Sequence, residues 1–491
     1  MNDFFVSAML LGALSTGGTM PFWSTANQGG IMPDYNGGVA LVQAYKTFDE
    51  TKTFQWHAGA SFAANWQPDN PLNTTGLPLS AMADELYIGA RWKVLRADIG
   101  AMHREREFLG SDLSLGSLSV NEGHIIESNN ARAIPGYKLT LEPWAIPFTG
   151  KHLLISGVWG DYKTFDDRFM KDALIHRMQA YLTYDSCKHF YVRIGLDHYA
   201  LWGGTPPEGY NIRPMNISFS NYLRICTGRS AGSDGTLSDQ INCLGDHGGA
   251  EELRMGWRYD DFDITFQYEK PYSDKSGMRF NNLPDGAYTL HFGFKDKDRW
   301  VSDVLAEFHY TMWQSGPRHD PELDENGVPY NWYEHKEMNF FGRDSYFTNG
   351  EYQSGWTCSG RSICGPLFST KLYKDGYYRI YNNRFIAYHI GMSGKLFRYS
   401  PYRLMMTYSR NCGKYGEPLV PGAYVSDTEW VWWKQNTWDK PLPQFSAALN
   451  GYVPFYMARR GRLDIVYGLY LDAGELLNKC FGCTLGVRFT L

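Results

Sequence analysis

Hydrophobic and polar residues alternate with a period of two along residues 176–202. Met178, Ala180, Leu182 and Tyr184 share one face of the first arm, Phe190, Val192, Ile194 and Leu196 share one face of the second, and polar residues fill the positions between. Each arm has roughly ten residues, enough to cross a bilayer when a strand is tilted. The pattern predicts a β-hairpin with one face toward lipid and the other toward a polar interior.

The same alternation recurs along the chain, for example at residues 84–93, 251–259, 462–475 and 480–491. Counting all such runs predicts about eighteen strands. The first is predicted near residues 3–14, because this apolar segment carries Asp3 and lacks the basic start of a signal peptide.

Tight turns and long connections alternate between the predicted strands. The long connections are predicted as extracellular loops at about 15–38, 68–83, 108–135, 163–175, 203–250, 315–376 and 414–441. Short turns at one rim and long loops at the other are typical of outer-membrane barrels, and an even strand count places both termini in the periplasm. The sequence therefore predicts an all-β fold, a transmembrane antiparallel β-barrel that uses residues 1–491 as a single domain.

Composition supports the membrane interpretation. Aromatic residues make up 16% of the 491 residues, yet the mean hydropathy is −0.41. No run of apolar residues is long enough for a helical span, whereas a barrel tolerates low hydropathy because every second strand residue faces a wet interior. A soluble sandwich or propeller is the competing fold, but the strands are long and no repeated signature marks blades.

Charge and cysteine content limit the other classes. The formal net charge is −5, and no basic cluster suits nucleic acid. The chain has 8 Cys but no paired CxxC blocks of a zinc site. Cys226 with Cys243, and Cys358 with Cys364, lie inside long loops, where an oxidising compartment permits disulfides; composition leaves open whether these pairs are bridged or free.

Enzymatic motifs are missing from the sequence. It contains no HExxH, P-loop or GxGxxG pattern. Asp166 and Asp167 are adjacent, so their side chains point apart on a strand, and a solvated pair is the better interpretation. The acidic segment 320–327 lacks the bidentate Glu of a calcium loop. We expect no enzymatic activity, no metal and no cofactor.

Two loops carry most of the candidate ligand chemistry. Loop 414–441 contains Trp430, Trp432, Trp433 and Trp438, and loop 315–376 contains Trp332, Tyr333, Arg343 and Asp344. Sugars pack on aromatic rings, and their hydroxyls bond to planar polar groups, so this mixture suits a glycan. The same rings could instead form the apolar cores of the loops or part of an interfacial aromatic girdle.

Charged residues at inward positions form a second candidate site. The alternation places Arg91, Arg177, Arg193, Asp197, Arg254, Arg258, Glu307 and His309 toward the lumen, together with Arg104 and Arg106 on a strand predicted at 97–107. Mutual ion pairing that fills the interior and a polar conduit for a ligand both fit this mixture of signs.

Four segments resemble a known family. PFWSTANQGG at 21–30, NEGHIIESNNARAIPG at 121–136, GDYKTFDDRFMKDALIHRMQAYL at 160–182 and GLDHYALWGG at 195–204 are similar to the Wzi family of capsule-assembly outer-membrane proteins, in particular its Bacteroidota branch. The resemblance is best over the first 200 residues. It implies an eighteen-stranded outer-membrane barrel that acts as a surface lectin for capsular polysaccharide, and it fixes no binding residues.

The leading functional hypothesis is a non-enzymatic lectin in the cell outer membrane. The expected partners are surface or capsular polysaccharide, outer-membrane lipid and lipopolysaccharide; other outer-membrane proteins are candidate partners, and nucleic acid is not expected. A substrate-selective channel that uses the charged lumen and a structural subunit of a larger outer-membrane complex are the alternatives.

Overall fold

The structure of the chain is a computed structural model. The residues that the structure describes are 4–49, 52–71, 78–210, 212, 214–233, 235–236, 239–240, 243–273, 275–314, 345–414, 417–420, 441–458 and 461–491.

Within these residues, eighteen strands form one closed antiparallel sheet. They are β1 (Phe4–Ser15), β2 (Gly37–Lys46), β3 (Phe54–Trp66), β4 (Leu79–Trp92), β5 (Leu95–Ala101), β6 (Pro135–Ala145), β7 (Leu153–Lys163), β8 (Leu174–Asp185), β9 (Phe190–Trp202), β10 (Asp246–Arg258), β11 (Phe262–Tyr272), β12 (Gly286–Phe294), β13 (Asp303–Tyr310), β14 (Arg384–Leu396), β15 (Ser400–Lys414), β16 (Leu442–Ala458), β17 (Gly461–Gly474) and β18 (Cys480–Thr490).

Closure is made by β1, which pairs with both β2 and β18. Ser7 lies opposite Gln43 on one side and Thr490 on the other. Closure leaves no strand edge whose backbone groups would meet lipid unpaired. The predicted transmembrane barrel and its strand number are confirmed.

The alternation of residues sorts the side chains between lipid and lumen. Leu10, Ile99 and Leu485 point outward and keep 62%, 63% and 64% of their surface exposed. Ser7 and Gln179, at inward positions, are buried. An apolar exterior around a polar interior suits a barrel surrounded by lipid, and the protein is an integral outer-membrane barrel.

A row of aromatic rings crosses the outer face of four neighbouring strands. Tyr268, Tyr288, Phe308 and Tyr388 occupy directly paired positions on β11, β12, β13 and β14. Successive ring centroids are 4.5, 5.9 and 5.2 Å apart. These cross-strand pairs fix the strand register and cover the outer wall with apolar surface.

The two rims differ as predicted. Phe4, the first described residue, and Leu491 lie at the rim with short turns, where the Leu491 amide donates to the carbonyl of Val6 at 2.9 Å. The long loops meet at the other rim. By the usual topology of such barrels, the short-turn rim faces the periplasm and the long-loop rim faces the outside of the cell.

The remaining elements are short and lie in the loops. Helices occupy Phe22–Thr25, Phe219–Thr227 and Lys275–Met278, with a 3-10 turn at Leu113–Leu115. Short strands occupy Thr357–Cys358, Arg361–Ser362, Ser369–Leu372, Tyr378–Asn382 and Glu417–Pro418. None of the helices in the described ranges has the length and apolar character needed to cross a membrane.

The strand predicted at 97–107 ends early, at Ala101. Beyond Ala101 the amides of His103 and Arg104 bond to side chains instead of a neighbouring strand. The amide of His103 donates to the Glu85 carboxylate at 2.8 Å, and that of Arg104 donates to the Asn129 side chain at 2.9 Å. Arg104 and Arg106 therefore belong to a loop and not to the barrel wall.

Two outward positions on β18 test the membrane depth of the wall. We expect Leu485→Arg to destabilise the barrel folded in lipid vesicles by about 2–4 kcal/mol, because Leu485 lies midway along the strand. Phe489→Arg, on the same face but beside the periplasmic rim, should cost only about 0–1 kcal/mol. Denaturant titration of both variants measures the difference, and equal costs would contradict this depth assignment.

Candidate functional site

Residues 102–134, here called the inner loop, fold into the barrel. The inner loop leaves the wall after Ala101 and returns at Pro135, which pairs directly with Ala101. Between these points Val120, Ile125 and Ile126 are completely buried. The segment predicted as an extracellular loop at 108–135 therefore occupies the lumen.

Backbone amides of the inner loop bind carboxylates of the opposite wall. The Val120 amide donates to Glu307 on β13 at 2.8 Å, and the Ile125 amide donates to Glu269 on β11 at 3.1 Å. The side-chain amide of Gln267 donates to the carbonyl of Gly123 at 2.8 Å. These three hydrogen bonds hold the inner loop against the opposite wall.

Further contacts reach the next three strands. The Leu118 carbonyl lies 2.9 Å from Nε2 of His389 on β14, and Arg403 on β15 donates to the carbonyl of Ser117 at 2.8 Å. Tyr452 on β16 donates its hydroxyl proton to Asp112 at 2.6 Å. Bonded to β11, β13, β14, β15 and β16, the inner loop crosses the lumen.

Ion pairs join the inner loop to the arginines of β9 and β10. Glu107 contacts Arg254 closely and lies 3.6 Å from Arg193. Arg193 also binds Glu252 at 2.6 and 2.8 Å. Burial alone would raise the pKa of Glu107, but the neighbouring arginines lower it to about 2.

The predicted lumen residues Arg177 and Asp197 also meet the inner loop. Arg177 lies 3.0 Å from Glu127, and Asp197 lies 3.5 Å from Arg104. His309 lies 3.4 Å from Glu307, so these two predicted residues adjoin the amide of Val120. These contacts join inward charges to the inner loop.

Arg258 and Arg91 lie apart from the inner loop, toward the periplasmic rim. Arg258 forms a bidentate pair with Asp185 at 2.8 and 2.9 Å. The guanidinium of Arg91 stacks over the ring of Phe48 at 4.6 Å. Arg258 and Arg91 therefore contact residues other than those of the inner loop.

A cavity of about 600 Å³ remains in the lumen beside the inner loop. Its lining is mixed in charge and includes Lys46, Glu85, Arg96, Arg106 and Arg488. Arg96 is bound to Asp98 at 2.8 Å, and Arg106 to Glu122 at 2.8 Å. Internal pairing thus uses much of this charge.

A second cavity, of about 500 Å³, opens among the extracellular loops and is here called the surface cavity. Three segments supply most of its lining: the β1–β2 loop with Asp34 and Tyr35, the loop before β14 with Arg361 and Tyr378, and the β17–β18 loop with Asn478. Asn70 of the β3–β4 loop and Asn130 of the inner loop complete it. Arg361 and Asp34 are bound at 2.5 Å, which ties the first two segments together.

The rings of Tyr35 and Tyr378 are half-buried in the surface cavity, and both adjoin the Asp34 carboxylate. Burial, with the charge of Asp34, raises the pKa of both phenols. The Tyr378 ring packs against Gly360, where a side chain would approach to 3.2 Å. Rings fixed beside carboxylate, guanidinium and amide groups form a surface that can stack on and hydrogen-bond to a sugar.

The predicted aromatic ligand residues are not among those that the structure describes. Trp430, Trp432, Trp433, Trp438, Trp332, Tyr333, Arg343 and Asp344 all lie outside the described residues. The surface cavity was not predicted from the sequence. Its residues come from three distant segments, and the local clustering that marked the tryptophans is absent from them.

The sequence left open whether Cys226 is bridged to Cys243 and Cys358 to Cys364, and the structure contains neither disulfide. Cys226, Cys358 and Cys364 carry buried free thiols. Cys358 belongs to the small hairpin in which it faces Arg361, and its thiol lies 3.8 Å from the hydroxyl of Ser359. Burial raises the pKa of the Cys358 thiol to about 12, which keeps it protonated.

Comparisons with known proteins identify the fold. No protein-family model matches the chain, and no curated protein matches it. Among solved structures it is similar to Wzi of Escherichia coli, an outer-membrane protein involved in group 1 capsule assembly and described as a carbohydrate-binding β-barrel. The identity is 11%, the match covers 99% of this chain and 84% of that one, and the TM-score is 0.54.

Two further matches have lower scores. OccAB2 of Acinetobacter baumannii is 10% identical, with coverage of 100% and 98% and a TM-score of 0.47. The outer-membrane protein opdK of Pseudomonas aeruginosa is 8% identical, with coverage of 100% and 99% and a TM-score of 0.44. At these identities the comparisons establish the barrel fold and no function.

The Glu107 ion pairs predict an acid-sensitive inner loop. Because the folded pKa of Glu107 lies below its ordinary value of 4.5, its stabilising effect is complete above that value and is lost as the pH falls toward about 2. We expect planar-bilayer recordings to show a closed barrel at neutral pH and rising conductance as the pH falls through this window.

Glu107→Gln is the matched variant for this experiment. It removes the carboxylate charge at every pH, so it should conduct more than the parent at neutral pH and respond less to acid in the same window. A conductance profile identical to that of the parent would contradict a role for Glu107 in holding the inner loop.

Proposed function

We propose that the protein is a non-enzymatic surface lectin whose barrel anchors it in the outer membrane while the surface cavity binds polysaccharide. The observation that carries the proposal is the arrangement of Tyr35 and Tyr378 around the Asp34–Arg361 pair. Flat sugar faces would pack on the rings, and the charged pair would bond to hydroxyl groups.

The position of the surface cavity favours an extracellular polymer as ligand. Its three loops belong to the rim opposite the chain ends, which is the extracellular rim in the usual barrel topology. Ser359, Asn70 and Asn478 extend the polar lining at its edge. An open cleft with several polar groups suits an internal stretch of a chain better than a small molecule that must be enclosed.

The inner loop favours anchoring over transport. A segment that hydrogen-bonds to β11, β13, β14, β15 and β16 across the lumen leaves less room for a substrate path, which supports the lectin over the substrate-selective channel. A structural role in a larger outer-membrane complex remains an alternative, and it predicts copurification with a stoichiometric companion and no glycan affinity.

The resemblance to the Wzi family suggests the class of ligand. Wzi of Escherichia coli is described as a carbohydrate-binding barrel involved in capsule assembly, and segments 21–30, 121–136, 160–182 and 195–204 of this chain carry the resemblance. We propose capsular polysaccharide as the ligand and its attachment at the cell surface as the role. Segment 21–30 contributes Phe22, Thr25 and Ala26 to the surface cavity.

Substitution of the cavity tyrosines tests this function. On a glycan array followed by titration in detergent, we expect Tyr378→Ala to weaken binding about tenfold, or ~1.4 kcal/mol, through loss of the stacking surface. Tyr378→Phe should retain most of the affinity because it keeps the ring.

Tyr399→Ala is the control, since Tyr399 is an exposed tyrosine on a turn at the opposite rim. It should bind glycan as the parent does. Unchanged binding by both Tyr378→Ala and Tyr35→Ala would exclude the surface cavity as the binding site, and an array on which the parent binds no glycan would exclude the lectin itself.

A further inference from the structure

A cluster of polar side chains lies on the outer face of the barrel wall. Asp161 on β7 is 2.9 Å from His176 on β8, and His198 on β9 is 2.8 Å from His247 on β10. His176 and His198 occupy the same face of their strands as Leu182 and Ile194, which are 40% and 53% exposed on the outer surface. These polar groups therefore point away from the lumen.

This cluster lies at membrane depth. Asp161 is about eight residues along β7 from its periplasmic end at Leu153, which at about 3.3 Å per residue and a tilt of about 40° places it roughly 20 Å above that rim. The apolar band of such barrels is about 25 Å tall. Polar side chains near the upper edge of this band need a cover that satisfies them.

The helix Phe219–Thr227 provides the cover. Its Tyr222 hydroxyl donates to Asp161 at 2.8 Å and accepts from the indole nitrogen of Trp159 at 3.2 Å. Ile225, another residue of this helix, is completely buried in an apolar cluster with Trp202 and Leu244. The loop between β9 and β10 thus folds down over the outside of the wall.

The opposite side of this helix carries exposed apolar side chains. Phe219, Leu223 and the preceding Ile217 are 75%, 48% and 61% exposed. Arg229 is also exposed, directly after the helix. An exposed patch of this kind beside the lipid-facing wall indicates an interaction surface.

The loop between β11 and β12 repeats the arrangement. Lys270 on the outer face of β11 is completely buried and binds Glu251 of β10 at 2.9 Å. The ring of Phe280 covers its ammonium group at 4.0 Å. Phe280 and Leu283 are in turn 54% and 41% exposed, and Arg279, directly before Phe280, is also exposed.

We propose that these two segments, residues 214–229 and 277–284, form a collar that binds the phosphorylated glycolipid of the outer leaflet. Both segments cover outward polar side chains of the wall and present apolar side chains of their own on the outside. Both therefore continue the lipid-facing surface of the wall. Acyl chains pack on the apolar residues, while Arg229 and Arg279 bind phosphate groups at the headgroup level.

Charge complementarity and position select lipid as the occupant over a protein partner. Each segment combines exposed apolar side chains with an arginine, as interfacial membrane elements do. The helix of the first segment packs on β8 and β9, and the second segment lies against β11. Because β10 pairs with both β9 and β11, the two segments lie on the same side of the barrel. The ligand differs from the polymer proposed for the surface cavity, so either proposal can fail alone.

Photo-cross-linking tests the collar directly. With benzoylphenylalanine at position 219 or 223 of the full chain in native outer membranes, we expect adducts with lipopolysaccharide, as from position 194 on the lipid-facing wall. Position 378 in the surface cavity should give no lipid A adduct. Adducts of positions 219 and 223 with a protein alone, or no lipid adduct from either, would overturn the proposal.

Arginine substitution gives an independent measurement. In purified protein, we expect Arg229→Gln with Arg279→Gln to lower the lipopolysaccharide retained per barrel at least fivefold, since each basic residue near a membrane surface contributes about one such factor. Lys188→Gln with Arg398→Gln, two exposed cations at the periplasmic rim, is the matched control and should retain the parental amount. Equal retention by both double variants would overturn the role of the arginines.

Discussion

The structure depends on one constraint, which is that every backbone amide and carbonyl within lipid must find a partner inside the protein. β1 meets this constraint by pairing with β2 and β18, so that the sheet closes and no edge remains. Closure in turn fixes the register of the paired strands. A register shift of one residue would turn Leu10 or Leu485 inward and expose their polar neighbours to lipid. The strong period of two in the sequence is the direct result.

A barrel of eighteen strands is wide enough to hold water, so its interior needs a second solution. The inner loop fills this interior, although most of its length has no regular secondary structure. Buried loops are rare because their amides lack partners. Here Glu307 and Glu269 accept the amides of Val120 and Ile125, and the arginines of the wall compensate the charge of Glu107. The inward charges therefore act mainly as partners for this segment.

The sequence predicted the strands well because their pattern is local, and it predicted the placement of the inner loop poorly because its pattern is not. Residues 102–107 continue the alternation of β5, so nothing local distinguishes Arg104 from a wall residue. What removes it from the wall is the bond of its amide to Asn129, far along the chain. Tyr378 and Asp34 show the same limit, since only the packing of separate loops brings them into the surface cavity.

The same rule governs both faces of the wall. Inside, Glu307 and Arg254 point toward a segment that satisfies them; outside, Asp161 and Lys270 point toward segments that do the same. A lipid-facing wall has no intrinsic need for aspartate or lysine, which are costly at membrane depth without a partner. Their presence is explained when the covering loops are part of the folded wall, because each buried polar contact then specifies where its loop docks. Outward polar residues at the upper end of a strand thus mark the places where extracellular loops return to the barrel, and the apolar residues of those loops extend the surface that meets lipid.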